Sequence, residues 1–333
     1  MTISTFDALF SGKKELFKGL AAEEFFERSE YKTRPVIRLD MSNVTMNMGT
    51  DVLISSIMGK MRGSAKKLGV EAEGETPGDA FYNLLERTAE KYEMSVVVLV
   101  DEYDSPILTN IGKPDKVEEA REVLRDIYMR IKAGEQYIHF VFMTGISKFS
   151  KMGVFSALNN LKDISISDDY AAMLGYTEEE LLSNFSEHIG AAAGYMKIST
   201  EALITKIRDY YDGFSFNGES RLYNPFSTLC FLSDRKFQNY WFDSGTPSFI
   251  VRYMKDKKLT VEEFRGYEVS RNFAFTPGEI ETASSASFLY QSGYLSLRPG
   301  VLNDFSLDYP NHEVLTAMSS LLVGNIFGNE KER

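Results

Sequence analysis

An uninterrupted apolar run that ends in adjacent carboxylates constrains this chain more than any other stretch. Residues 95–104 read Ser-Val-Val-Val-Leu-Val-Asp-Glu-Tyr-Asp. A run of Val and Leu without polar alternation is typical of a strand that is buried on both faces of a parallel sheet. Such a strand would deliver Asp101 and Glu102 together to the edge of the sheet. Adjacent acids suit nucleotide chemistry, because one carboxylate can hold the Mg²⁺ shell while the other orients an attacking water.

The first half of the chain alternates between strand-like and helix-like segments. Apolar spacing predicts helices early in the chain and between the strands, at about 3–29, 51–69, 78–92 and 116–132. Short apolar runs predict strands at 35–40, 96–100, 138–143 and, shorter, 164–166. Strands that alternate with helices indicate a βαβ domain with a mostly parallel sheet.

Beyond about residue 174 the pattern becomes helical. Helices are predicted at 199–212, 225–233, 246–256 and 260–265, with a final helix from about His312. Residues 287–297 and 305–308 favour a short β element. We therefore predict three parts: an α/β domain at 1–172, a helical, lid-like region at 173–280, and a small α/β or winged-helix-like region at 281–333.

Two interpretations of the acids at 101 and 102 stay open. In the functional one, Asp101 and Glu102 form a Walker B pair; in the other, a buried strand ends in acids because it has reached the surface. Thr144 follows the next strand, where ATPases with a catalytic glutamate carry a small polar residue that senses the γ-phosphate. Thr144 also suits a helix cap or a turn. Ser147 and Lys148 either face the phosphates with it or face solvent.

The chain lacks the sequence motif of a P-loop, which would bind the phosphates in such a site. Nothing in the chain reads G-x-x-x-x-G-K-[ST], and each Gly-Lys pair, at residues 12–13, 59–60 and 112–113, is followed by a residue without a hydroxyl. The histidines, His139, His188 and His312, are scattered, which argues against a zinc site.

Composition narrows the classes of function and location. The formal net charge of −11 argues against strong nucleic-acid binding, which requires Lys and Arg against phosphates. The single cysteine, Cys230, excludes an internal disulfide framework and fits a reducing compartment. The sequence shows neither a signal peptide nor an apolar segment of about 18 residues, so we expect a cytoplasmic protein without membrane contact.

The chain resembles the predicted AAA-ATPase-like family of bacteria and archaea. The Val-Leu-Val-Asp-Glu-Tyr-Asp-Ser-Pro-Ile stretch and the Phe-Met-Thr-Gly-Ile-Ser-Lys-Phe stretch carry the resemblance first. The matching stretches follow one another in the family's order at 98–107, 142–149, 155–163, 175–181, 211–214, 223–227 and 290–295.

The resemblance implies a P-loop NTPase-like, three-layer parallel sheet followed by a mostly helical region with a small β element. It implies that Asp101 binds Mg²⁺, that Glu102 is the catalytic base, and that Thr144 senses the γ-phosphate. Ser147 and Lys148, which follow Thr144 closely in the chain, are further candidates for contacts with ATP phosphates. It also implies a PD-(D/E)XK nuclease-like domain after the ATPase part, as a partner domain. Mg²⁺ and ATP are the cofactors that the intact family would use.

Departures from the family lead us to expect a chain that is truncated at both ends. In the family, a segment that ends in a Gly-Lys-Ser loop comes directly before a sequence similar to residues 2–7. The first strand and the P-loop are therefore expected to be missing here. Without that loop, we expect these residues to be inactive and to bind no nucleotide tightly. The alternative is a non-catalytic module that binds a protein partner through aromatic side chains of the helical half, such as Tyr240, Trp241, Phe242 and Phe249.

Overall fold

The computed structural model describes residues 2–44, 49–146, 161–243, 254, 260, 262–270, 285–302 and 304–327. The chain forms two compact units, Met1–Leu161 and Lys162–Arg333. The finer division predicted at residues 172 and 280 stays a prediction. Within the described residues, no helix combines the length and the apolar character that a membrane span requires.

Unit 1 is built on a parallel sheet with the strand order β1-β2-β3. The strands are β1 (Val36–Asp40), β2 (Val96–Asp101) and β3 (Ile138–Met143). Both pairings are parallel, and β2 lies in the middle with Val96–Val100 fully buried. The uninterrupted apolar run therefore occupies the strand position that is covered on both faces, as the sequence predicts.

Helices cover both faces of this sheet. They are α1 (Thr2–Phe10), α2 (Thr50–Leu68), α3 (Pro77–Tyr92), the short α4 (Ser105–Leu108) and α5 (Pro114–Ala133). Phe6 and Phe10 of α1 pack over one face, against Phe140, Phe142 and the fully buried Leu99. Ile37 and Leu39, which alternate to the opposite face of β1, are fully buried as well, and α2 contacts that strand. These layers confirm the predicted three-layer α/β class.

Unit 2 is mostly helical. Its helices are α6 (Glu178–Met196), α7 (Thr200–Tyr211), α8 (Pro225–Asp234), α9 (Tyr240–Asp243), α10 (Ser285–Gln291) and α11 (His312–Phe327). Thr177 and Glu180 form a reciprocal capping box that begins α6, where the sequence predicts a helix start. The core centres on Tyr211, Tyr223 and Phe231.

A small antiparallel sheet accompanies these helices. Its strands are β4 (Tyr267–Val269), β5 (Ser296–Pro299) and β6 (Phe305–Asp308), in the order β4-β6-β5. The predicted β element is confirmed for its later part. Its earlier part is wrong, because Ser285–Gln291 is helical. The helix predicted at 246–256 lies almost wholly outside the described residues.

The strand predicted at residues 164–166 is also wrong. The Ser165 N–H donates to the Asp163 carboxylate at 3.0 Å, and the Ser167 N–H donates to the Ile164 carbonyl at 3.2 Å. These short-range bonds turn the chain, since Asp and Ser side chains compete with a strand ladder for backbone donors.

The aromatic residues near the start of α9 pack inside unit 2. The Trp241 ring lies 5.2 Å from the Tyr294 ring and 5.9 Å from the Phe214 ring, centroid to centroid. The Phe242 and Tyr294 rings meet edge to face. Phe249 lies outside the described residues. For the aromatics that the structure describes, a second core is therefore the better interpretation than a docking surface.

Candidate functional site

Three polar residues lie at one level on the carboxyl edge of the unit 1 sheet. Asp40 pairs in register with Asp101 across β1 and β2. Thr144 comes directly after the last residue of β3, and its N–H donates to the Val100 carbonyl at 2.9 Å. Neighbouring positions in a parallel sheet share a face, so Asp40, Asp101 and Thr144 share one. We call these three residues, with Glu102 and Asp104, the acidic rim.

Glu102 occupies a backbone conformation that non-glycine residues seldom adopt. Its φ is 51°, in the left-handed region, and its carbonyl accepts the Ser105 N–H at 3.0 Å as the chain turns into α4. Such a conformation costs on the order of 1–3 kcal/mol. The turn leaves the Glu102 side chain partly exposed at the edge of the sheet.

The acids of the rim influence one another's ionisation. Partial burial raises the pKa of Glu102 above its ordinary value, and the charges of Asp104, Asp101 and Asp40 raise it further. Burial also acts to raise the pKa of Asp40, but hydrogen bonds from Ser42 and nearby cations outweigh it, so that this pKa is lowered. The rim therefore combines a carboxyl group that holds its proton longer with one that releases it early.

Asp104 fixes the turn after β2, and the sequence did not single it out. It is 1% exposed, and its carboxylate accepts the Ile146 N–H at 3.3 Å. The Tyr103 N–H donates to the Thr144 carbonyl at 3.0 Å, so the segments that follow β2 and β3 are tied together. A Cβ on Gly145 would lie 2.5 Å from the Asp104 carboxylate, so only glycine allows this approach.

Asp40 was also missed as a candidate. The signal was present, because β1 and β2 both end in aspartate, but only the strand order and register reveal that the two acids are neighbours. Ser147 and Lys148, the predicted phosphate contacts, lie outside the described residues. Asp101, Glu102 and Thr144 are brought together as the sequence led us to expect, while their roles stay predictions.

The rim suits a cation that takes few ligands from protein. Among the described residues, no group of three or more His, Cys, Asp or Glu side chains is arranged to hold a metal. Mg²⁺ is commonly bound through one or two carboxylates, with water and phosphate oxygens completing its octahedron. Asp101 offers a hard oxygen ligand of this kind, and a cation there would counter the negative charges that raise the pKa of Glu102.

Replacing Glu102 with glutamine is expected to give a small gain in stability at pH 7. Because the pKa of Glu102 is raised in the folded state, the folded chain binds this proton more tightly, and ionisation costs stability as the pH rises above about 4.5. The side chain is exposed, so solvent screening limits the gain to roughly 1–2 °C in melting temperature. Thermal unfolding between pH 4.5 and 8 measures the difference, which should shrink toward the acidic end.

Glu93→Gln is the matched control for that comparison. Glu93 is an exposed glutamate that also has a left-handed φ, of 50°, but it lies at the end of α3, away from the rim. We expect no such pH-dependent gain there. An equal gain in both variants would show that the neighbouring rim acids do not cause it.

Comparisons with known proteins find a family match in the first half of the chain. The family described as Predicted AAA-ATPase, of AAA-ATPase-like type, matches residues 1–155. A protein of Azotobacter chroococcum mcd 1, named as an uncharacterized protein in the vnfD 5′ region, is 31% identical over 328 residues. That alignment covers 96% of this chain and 60% of the relative, so the chain spans less than two thirds of the relative's length. No solved structure matches. Over residues 1–155, the chain is similar to the predicted AAA-ATPase-like family.

Proposed function

We propose that the acidic rim is the magnesium and water half of an ATP site. In this proposal, Asp101 holds Mg²⁺, Glu102 orients and deprotonates the attacking water, and Thr144 contacts the γ-phosphate. Ser147 and Lys148 would add phosphate contacts. The observation that carries the proposal is the placement of Asp101 and Thr144 at one level of the carboxyl edge, directly beside Glu102. Ligands of open α/β sheets bind at this edge.

The electrostatics of Glu102 agree with the role of a base. A general base works best when its pKa lies near the working pH, and partial burial together with the neighbouring acids shifts the pKa of Glu102 upward, in that direction. Mg²⁺ would neutralise charge that develops on the phosphate oxygens. The strained backbone at Glu102 fits a residue whose position matters for function, since such strain concentrates at active sites.

The acidic rim cannot bind the triphosphate of ATP by itself. ATP binding needs backbone N–H donors at a helix N-terminus, a lysine and a hydroxyl for Mg²⁺, and the 333 residues contain no motif that supplies them together. Carboxylates of the rim would instead repel a polyphosphate. We therefore propose that residues 1–333 alone neither hydrolyse ATP nor bind it tightly, because hydrolysis would require a phosphate-binding loop in addition to these residues.

Residues 1–333 are expected to release no phosphate from MgATP above the level of their Glu102→Gln variant. MgATP should also leave their melting temperature unchanged, because a ligand stabilises a fold only by binding it. A phosphate-release assay and thermal unfolding measure both quantities. A Mg²⁺-dependent rate that Glu102→Gln abolishes would contradict the expectation.

A variant to which a segment ending in a Gly-Lys-Ser loop is added ahead of residue 2 is the positive control. MgATP should raise its stability by about 2.7 kcal/mol at a hundredfold excess over Kd. Asp101→Asn should weaken this stabilisation more with MgATP than with ATP and EDTA, because Asp101 acts through the metal. Equal stabilisation of both chains by MgATP, or none in either, would contradict the proposal that the rim needs an added phosphate-binding loop to bind ATP.

The alternative function is a non-catalytic module that binds a protein partner. The described aromatics of the helical half pack inward, and they give this alternative no support. A nuclease-like partner domain remains a proposal that rests on the family resemblance. The feature that favours partner binding lies elsewhere, on the open edge of β1.

A further inference from the structure

A groove runs along the outer edge of β1 in unit 1. Its cavity volume is about 680 Å³, within the usual range for ligand sites. Asp7 of α1 and Ser11, which directly follows α1, line one side, Lys60 and Lys67 of α2 line the other, and the edge of β1 lies between them. The groove is separate from the residues that would perform ATP chemistry, except that Asp40 borders both.

The backbone of β1 leaves hydrogen-bonding groups directed into this groove. The Val97 N–H donates to the Pro35 carbonyl, and the Met41 N–H donates to the Asp101 carbonyl, both at 2.9 Å. The backbone N–H and C=O groups of the odd-numbered residues of β1 therefore point toward β2. By the alternation of a strand, the N–H and C=O groups of the even-numbered residues Val36, Arg38 and Asp40 face outward. No strand among the described residues pairs with this edge.

The side chains around this edge are predominantly cationic. Arg38, Lys60 and Lys67 line the groove together with Asp7 and Asp40. None of the three cations has a salt bridge within 4.0 Å to another described residue, although Lys60 and Arg38 lie close enough to Asp40 to lower its pKa. Arg34 also lines it, but its guanidinium donates to Ser95. This local excess of positive charge stands out in a chain whose formal net charge is −11. Natural proteins often place lysine on open edges to discourage pairing, but charges there also select which strand can pair.

We propose that this groove binds an extended acidic peptide, which adds as a fourth strand to the edge of β1. The outward N–H and C=O groups would hold the peptide backbone, and Arg38, Lys60 and Lys67 would select its carboxylates. A peptide matches the row of backbone donors and acceptors, whereas the phosphate groups of a nucleic acid offer only acceptors to such a row. The proposal does not depend on ATP binding, since every residue that it uses except Asp40 lies outside the acidic rim.

The test measures fluorescence anisotropy of a labelled peptide of about eight residues in which glutamate alternates with valine. We expect residues 1–333 to bind it, with an affinity that falls as salt rises. A peptide with lysine in place of glutamate should bind at least about tenfold more weakly. A glutamate peptide that is N-methylated at every residue should lose binding to a similar degree, because neither of its edges can donate to β1.

Two double variants of α2 locate the site. Lys60→Glu with Lys67→Glu reverses the charges that line the groove, and Arg62→Glu with Lys66→Glu makes the same change in net charge on exposed positions outside it. We expect the first to weaken binding at least about tenfold and the second less than about twofold. Circular dichroism confirms that both variants fold.

Four results would each overturn the proposal. They are the absence of peptide binding at low salt, equal binding of the N-methylated peptide, equal losses in the two double variants, and tighter binding of an oligothymidylate that competes with the peptide. The last result would show that the groove takes a polyanion without adding a strand.

Discussion

Replacing Gly213 with alanine is expected to destabilise unit 2 by about 3 kcal/mol or more. Gly213 has a φ of 110°, which disfavours any residue with a Cβ. An added Cβ would also clash with the Pro310 carbonyl oxygen, and it would lie 2.9 Å from the Arg298 Nη2 atom. The neighbour is backbone and cannot rotate away, and Arg298 is already bonded to the Pro310 carbonyl at 2.7 Å. The Tyr-Asp-Gly-Phe stretch therefore contains a glycine for a steric reason.

Urea unfolding followed by tryptophan fluorescence measures this effect in unit 2, because Trp241 is the chain's single tryptophan. Gly266→Ala is the matched control, since Gly266 has a φ of 64° but an added Cβ would meet nothing within 4 Å. We expect that control to cost about 1 kcal/mol, from backbone strain alone. An equal loss of unfolding free energy in the two variants would mean that the contact with Pro310 does not contribute to the effect.

Replacing Leu99 with alanine is expected to destabilise unit 1 by roughly 3–4 kcal/mol. Leu99 is fully buried at the centre of β2, in the cluster where Phe6 and Phe142 pack. Truncation would remove buried apolar area and leave a cavity between the sheet and α1, and the rings around it cannot fill the space without losing their contacts. The rim should lose protection as well, because β2 positions Asp101.

Hydrogen exchange of the β2 amides measures this loss, since unit 1 contains no tryptophan. Leu16→Ala serves as the control, because Leu16 lies on the surface of the same unit and is 60% exposed. We expect its effect to stay within about 0.5 kcal/mol. If Leu99→Ala left the exchange of β2 unchanged, the assignment of this strand to the centre of the core would be wrong.

Sequence reasoning was sufficient where one physical signal dominated. The run that became β2 has no polar interruption, so it could only be a buried strand or helix segment, and its length favoured a strand. The start of α6 carried its own capping residues, Thr177 and Glu180, which act over four positions of sequence. Such local signals do not depend on the rest of the fold.

The sequence was insufficient where a short segment fitted both a strand pattern and a helix pattern. It was also insufficient where contacts with neighbouring residues determined the local structure. The stretch at Ser285–Gln291 is apolar enough for a strand or a helix, and periodicity cannot separate the two over so few residues. At 164–166, the side chain of Asp163 captured a backbone donor that a strand would need. The left-handed turn at Glu102 has no sequence signal, since that conformation favours glycine.

The acidic rim illustrates the same limit at the level of the site. Asp101 and Glu102 were identifiable because they follow a recognisable strand. Asp40 and Asp104 were not, because their relevance comes from the pairing of β1 with β2 and from the bond between Asp104 and the Ile146 N–H. Site residues that are joined by register rather than by sequence become visible only with the sheet.

The most direct measurement is a titration of residues 1–333 with Mn²⁺, a paramagnetic substitute for Mg²⁺, while backbone amide signals are followed by NMR. We predict that signals near Asp40, Asp101 and Thr144 broaden first, at roughly millimolar Mn²⁺, because few protein ligands are available. Asp101→Asn should remove this preference, whereas Asp169→Asn, a change at an exposed acid of unit 2, should leave it intact. Broadening that is centred elsewhere, or that survives Asp101→Asn unchanged, would contradict a magnesium site at the rim.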